Sequence, residues 1–92
     1  MPRLYINQEE LRIYYEYDDG DIDYYQFDFE KMEEYDSDND RVDKLKIIDG
    51  DVCWCNESYK GYVAYPDIWQ PLVNELYNNY LAEKILLGAN YA

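Results

Sequence analysis

An Asp-Gly dipeptide at positions 19 and 20 stands between two aromatic-rich segments, LRIYYEY (11–17) and DIDYYQFDF (21–29). That pattern is the strongest short-range signal for a β-hairpin. With Asp19 and Gly20 as a two-residue loop, Tyr17 faces Ile22, Tyr15 faces Tyr24 and Ile13 faces Gln26; on the opposite side Glu16 meets Asp23 and Tyr14 meets Tyr25. This register predicts one largely apolar face and one face with opposed carboxylates, which repel each other unless something basic sits between them.

Leu4, Tyr5 and Ile6 form a short apolar run ahead of the hairpin. Beyond Phe29, Met32 and Tyr35 lie three apart and predict up to two helical turns, ended by an exposed loop at 36–40, DSDND. LKIID, VCWC and YKGYVAY then supply two or three further strands, with turn signals at Asp49-Gly50-Asp51 and Asn56-Glu57-Ser58. After Pro66 the period changes to that of a helix. Asp67 precedes Gln70 by three as a capping pair, Pro71 falls in the first turn, and Trp69, Leu72, Val73, Leu76, Tyr80 and Leu87 share one side as far as a terminating Gly88. These signals predict one α+β domain over 1–92. Its expected parts are an antiparallel sheet of four to six strands with an N-terminal hairpin, a short acidic helix or loop, and a C-terminal helix packed on the sheet.

The chain holds 21 acidic residues against 8 basic ones, a formal charge of −13. Such a balance repels nucleic acid and anionic lipid, and attracts the proteins that bind them. With 48% hydrophobic and 18% aromatic residues, the chain can still bury a core rather than remain disordered. Thirteen acids fall between positions 16 and 43: Glu16, Asp18, Asp19, Asp21, Asp23, Asp28, Glu30, Glu33, Glu34, Asp36, Asp38, Asp40 and Asp43. Only Lys31 and Arg41 oppose them there, so this stretch alone carries −11. Acids two apart on a strand project from one side about 6.6 to 6.8 Å apart, a spacing of the same order as successive backbone phosphates. The thirteen are therefore candidates for phosphate-mimicking contacts with a basic partner, with Tyr24 or Tyr25 adding apolar contact beside them.

Catalysis is not expected. The chain has no histidine, so no Ser-His or Cys-His nucleophile exists, and its acids occupy turns and exposed alternations rather than an apolar cleft. Cys53 and Cys55 point to one face of a strand, a poor geometry for a mutual disulfide, and lack the further ligands zinc needs. DSDND offers oxygens at alternate positions like a calcium loop, yet Arg41 stands where that loop requires glycine. No metal or cofactor is expected. Trp54, Trp69, Tyr77 and Tyr80 lack surrounding cations and fit core or dimer contacts better than a platform for bases. The N-terminal segment has neither a signal-peptide core nor a membrane span, which points to the cytoplasm, that of a host cell if the chain is viral. Thirteen tyrosines exceed what one small core absorbs, and predict a homodimer interface.

The length, the acidity spread over a Tyr-rich hairpin and loop, and the C-terminal helix resemble the Arn-type anti-restriction DNA mimics of T-even phages. The resemblance implies an elongated homodimer occupying the DNA site of the modification-dependent restriction nuclease McrBC, or that of a histone-like nucleoid protein. Three alternatives remain at this point. An anti-CRISPR mimic fills a similar groove; a generic acidic interaction module binds a partner that is basic for other reasons; a salt-adapted domain uses its acids for hydration alone.

Overall fold

The computed structural model describes residues 2–56, 58 and 60–91, with backbone alone for 88–91. Glu57, named above as a turn residue, lies outside the described residues, as does Tyr59. Seven strands follow one another: β1 (Arg3–Asn7), β2 (Arg12–Glu16), β3 (Ile22–Asp28), β4 (Glu33–Asp36), β5 (Arg41–Ile48), β6 (Asp51–Asn56) and β7 (Gly61–Ala64). They pair antiparallel in sequence order as a simple meander, and one helix, α1 (Gln70–Tyr91), closes the chain. The α+β architecture is as expected, but the sheet has seven strands rather than four to six.

One extra strand replaces the expected acidic helix. Asp28 Oδ1 accepts the backbone N–H groups of Glu30 (3.1 Å) and Lys31 (3.0 Å), closing a turn that Met32 completes at a φ of 53°. The chain thereby reverses, and 33–36 pairs on one side with β3 and on the other with β5. Side-chain capping of a turn has displaced the helical spacing of Met32 and Tyr35. The expected loop at 36–40 shrinks to a turn at 37–40, with Asp36 buried at its base.

The β2–β3 hairpin forms, but its register is shifted by one residue. Tyr17 N–H donates to Asp21 O (2.8 Å) and Gly20 N–H to Tyr17 O (3.1 Å), so the loop contains three residues, Asp18, Asp19 and Gly20, with Gly20 at a φ of 93°. Ile13 consequently faces Tyr25, Tyr14 faces Tyr24, Tyr15 faces Asp23 and Glu16 faces Ile22. The opposed pair Glu16–Asp23 does not exist; the two residues lie on opposite faces. Burial chooses this register, because it puts Ile13, Tyr25 and Phe27 on one face, where Ile13 and Phe27 are fully buried. The two-residue loop occurs instead at Asp49-Gly50, with φ of 53° and 87° between the paired Ile48 and Asp51.

The core joins Ile13, Phe27, Phe29, Leu45, Val52 and Tyr65 of the sheet side to Val73 and Leu76 of the helix. The helix touches β1, β2 and β6. In a flat sheet β1 and β6 would stand about 24 Å apart, beyond the span of one helix about 10 to 12 Å wide, so the sheet curls around it. Gln70 and Asn74 dock the helix. Asn74 Oδ1 accepts the Val52 N–H (3.0 Å), Gln70 Nε2 donates to Val52 O (2.9 Å), and Asn74 Nδ2 donates to Asp51 (2.8 Å). β7 begins pairing only at Cys53, so these amides supply the partner that Val52 lacks on that side. Asp67 makes no capping bond among the described residues, and helical bonding starts from Pro66 O. Helical backbone continues through Gly88 to Tyr91 rather than stopping there, and Leu87 is exposed instead of facing the sheet. Among the described residues no helix is long and apolar enough to cross a membrane.

Candidate acidic interaction surface

The curl sorts the thirteen candidate acids into three environments. In a meander alternate turns share an end, so the β2–β3 and β4–β5 turns project together. They carry Asp18, Asp19, Asp21, Asp38 and Asp40, all exposed. A shallow hollow at this end is lined by Tyr17, Asp19, Asp21, Ile22, half-buried Asp23 and Asp38, four carboxylates without a cation. The Tyr17 hydroxyl donates to Asp23 (2.6 Å), and that bond pushes its pKa up to about 12. The Tyr35 hydroxyl donates to Asp40 (2.8 Å). Among the described residues, Asp19, Asp21, Asp38 and Asp40 form no ion pair.

A second group is neutralised locally. Glu16 pairs with Arg3 (3.2 Å) and Glu33 with Lys44 (2.6 Å) on the outer face, away from the helix. Glu30 takes the Tyr80 hydroxyl and pairs with Lys84 (3.3 Å), contacts that hold its carboxyl below the usual range. Asp28 is consumed by the turn it closes. These four are poor candidates for a partner's cations.

The third group is buried, contrary to expectation. Glu34, Asp36 and Asp43 are 4%, 6% and 5% exposed on the inner face. Glu34 and Asp43 face each other across β4 and β5. The Tyr65 hydroxyl donates to Glu34 Oε1 (2.6 Å), and Arg41 pairs with Asp43 (3.1 Å). Asp36 accepts the N–H groups of Asp38 (2.9 Å) and Asn39 (3.2 Å) and the Asn39 amide (2.8 Å). Burial, opposed by the Tyr65 hydrogen bond and reinforced by the charges of Asp43 and Asp36, raises Glu34 to about 7. These three cannot meet a flat basic surface.

The tyrosine surplus is largely housed within the chain. On the outer face Tyr5, Tyr14, Tyr24 and Tyr35 form a ladder across β1 to β4, with centroid separations of 5.4, 6.5 and 6.0 Å. Arg3 covers Tyr5 at 4.6 Å and Arg12 covers Tyr24 at 4.2 Å. Tyr24 thus stands on the outer face, while Tyr25 points inward against Trp69 (4.7 Å, edge to face). Trp54, Trp69, Tyr77 and Tyr80 all pack against the core. Cys53 and Cys55 are free thiols. Sequence reasoning missed the ladder because the one-residue register shift decides which tyrosines align.

The surface that remains for a partner is the end bearing Asp18, Asp19, Asp21, Asp38 and Asp40, flanked by the half-buried Asp23 and Tyr17. Its chemistry is that of an acceptor for cations. No protein-family model, curated protein or solved structure matches the chain.

Proposed function

We propose that this protein is a non-enzymatic DNA mimic that occupies the DNA-binding site of a basic host-defence or nucleoid protein, such as a modification-dependent restriction nuclease, in the cytoplasm. The observation carrying this reading is the shared end of two hairpins, where Asp19, Asp21, Asp38 and Asp40 stand exposed with no ion pair among the described residues. Like charges held together cost stability in the free protein, and a basic groove relieves that cost while releasing the counterions it holds. Binding of this kind weakens steeply as salt rises. The homodimer is also proposed, on new grounds. The ladder absorbs much of the aromatic excess, but Ile85, Leu86 and Leu87 near the end of α1 are exposed, large apolar side chains of the kind that subunit contacts cover.

The test is capture of a basic partner from bacterial lysate at low salt, followed by challenge with duplex DNA. Release by DNA, together with loss of capture in an Asp19→Asn, Asp21→Asn, Asp38→Asn variant that keeps its fold, supports mimicry. A captured partner indifferent to DNA assigns the chain to the generic acidic modules and overturns the proposal. Unchanged capture by the variant removes this end of the sheet from the binding surface.

A further inference from the structure

Beside the segment joining β7 to α1, the inner face opens into a cavity of about 240 Å³. Tyr25, Trp54, Tyr65 and Trp69 form its aromatic walls. Glu34, Asp36 and Asp43, each more than nine-tenths buried, supply its acids, and Arg41, whose guanidinium lies 5.9 Å from the Trp54 ring centroid, is the one cation lining it among the described residues. Three carboxylates against one guanidinium leave a surplus of negative charge. Asp36 is saturated by the turn above it, and Asp43 is held by Arg41. Glu34 differs: Oε1 accepts the Tyr65 hydroxyl, while the second oxygen accepts no hydrogen bond among the described residues. Among the described residues no fully sealed side-chain oxygen lacks a partner, so this oxygen keeps some exposure, and the cavity is what Glu34 lines.

The sign of the site excludes phosphates and carboxylates, and an uncharged apolar guest would bury the open oxygen without a donor. Among the described residues, no group of three or more acids, thiols or imidazoles is arranged to hold a metal ion. Aromatic faces beside an under-satisfied carboxylate suit an organic cation, attracted by the ring quadrupoles and donating charge-assisted hydrogen bonds. We propose that this cavity binds an alkylammonium group, borne by a small amine or by a lysine side chain, against the Trp54 and Trp69 rings with Glu34 as its acceptor. The proposal is independent of DNA mimicry, because the turn acids Asp19, Asp21 and Asp38 line a different hollow.

Trp54 and Trp69 are the only tryptophans in the chain, so their fluorescence reports on this cavity directly. The full chain is titrated at pH 8 and constant ionic strength with n-butylammonium, with Nα-acetyl-lysine N-methylamide and, as reference, with sodium chloride. A saturable change with the lysine derivative places the ligand on a protein; saturation with n-butylammonium alone places it on a small amine. Both results carry the proposal. Glu34 is faced by Tyr65, by Asp43 and Arg41 of β5, by Asp36 of β4 and by Tyr25 of β3, and it ionises near 7. Affinity should therefore rise about tenfold from pH 6 to pH 8 in the wild type and lose that rise in Glu34→Gln. An amine response no larger than that of sodium, or a wild-type affinity flat between pH 6 and 8, overturns the assignment.

Discussion

Replacing Glu34 by glutamine should make the protein more stable, by an amount that grows with pH. Glu34 is raised from the usual 4.5 to about 7, first by burial and then by the charges of Asp43 and Asp36. A carboxyl whose folded-state pKa is raised contributes its full stability below pH 4.5, where both states hold the proton. That stability is lost as pH climbs to 7, because the unfolded chain releases a proton that the folded chain keeps; above 7 the loss levels off. Between pH 5 and 8 the wild type therefore loses about 2 to 3 kcal/mol through this one group. Glutamine removes the titration while its carbonyl oxygen still accepts the Tyr65 hydroxyl, and the carboxylates of Asp43 and Asp36 stand near as acceptors for its amide. Urea unfolding of both proteins at pH 5, 6, 7 and 8 measures the difference, and the acids distant from Glu34 cancel in the comparison. A stability difference that stays constant across this range would refute the account of Glu34 as a buried, frustrated acid.

Asn74→Ala should cost about 2 kcal/mol in the same assay, since it strips the Val52 N–H, the Asp51 carboxylate and the Gln70 amide of a shared partner at once; a loss below about 0.5 kcal/mol would show that water replaces the amide there. Light scattering across concentration should give twice the mass of the 11.2 kDa chain, and a monomeric mass at every concentration would remove the homodimer and leave the exposed Ile85, Leu86 and Leu87 to another role.

Much of the fold is legible in the residues. Alternation and Asp-Gly turns announce an antiparallel sheet, and the change of period after Pro66 announces the helix. What is not legible follows from turn chemistry. The same Asp-Gly dipeptide closes a two-residue loop at Asp49-Gly50 and the end of a three-residue loop at Asp18-Asp19-Gly20, and one residue of difference exchanges the two faces of a strand. The outcome is decided by whether Ile13 meets Gln26 or joins Tyr25 and Phe27 in the core, a tertiary choice that no local window contains. Strand β4 was hidden for a related reason. Its preceding turn contains no glycine, and relies on the Asp28 carboxylate and a positive φ at Met32, where left-handed backbone is unfavourable for a residue with a side chain.

The candidate site was legible as a charge excess and illegible as an arrangement. In β4 and β5 acids occupy both phases of the two-residue period: Glu33 points outward to Lys44, whereas Glu34 points inward to Asp43. Counting charge along the chain gives these residues equal weight, although one is an ordinary surface ion pair and the other a buried pair of like charges. Opposed carboxylates destabilise a sheet, and an apolar pair of similar volume would fill the same space at less cost. The chain instead retains both acids and surrounds them with a tyrosine hydroxyl, one arginine and aromatic walls that leave a cavity open. Most other inward positions of its sheet are apolar, Leu45, Val52, Phe27 and Ile13 among them, with Asp36 the third buried acid. Departures from local rules are expected at functional or strained sites, and the departure at Glu34 and Asp43, only one of which Arg41 pairs, is the reason to test this cavity for a bound cation.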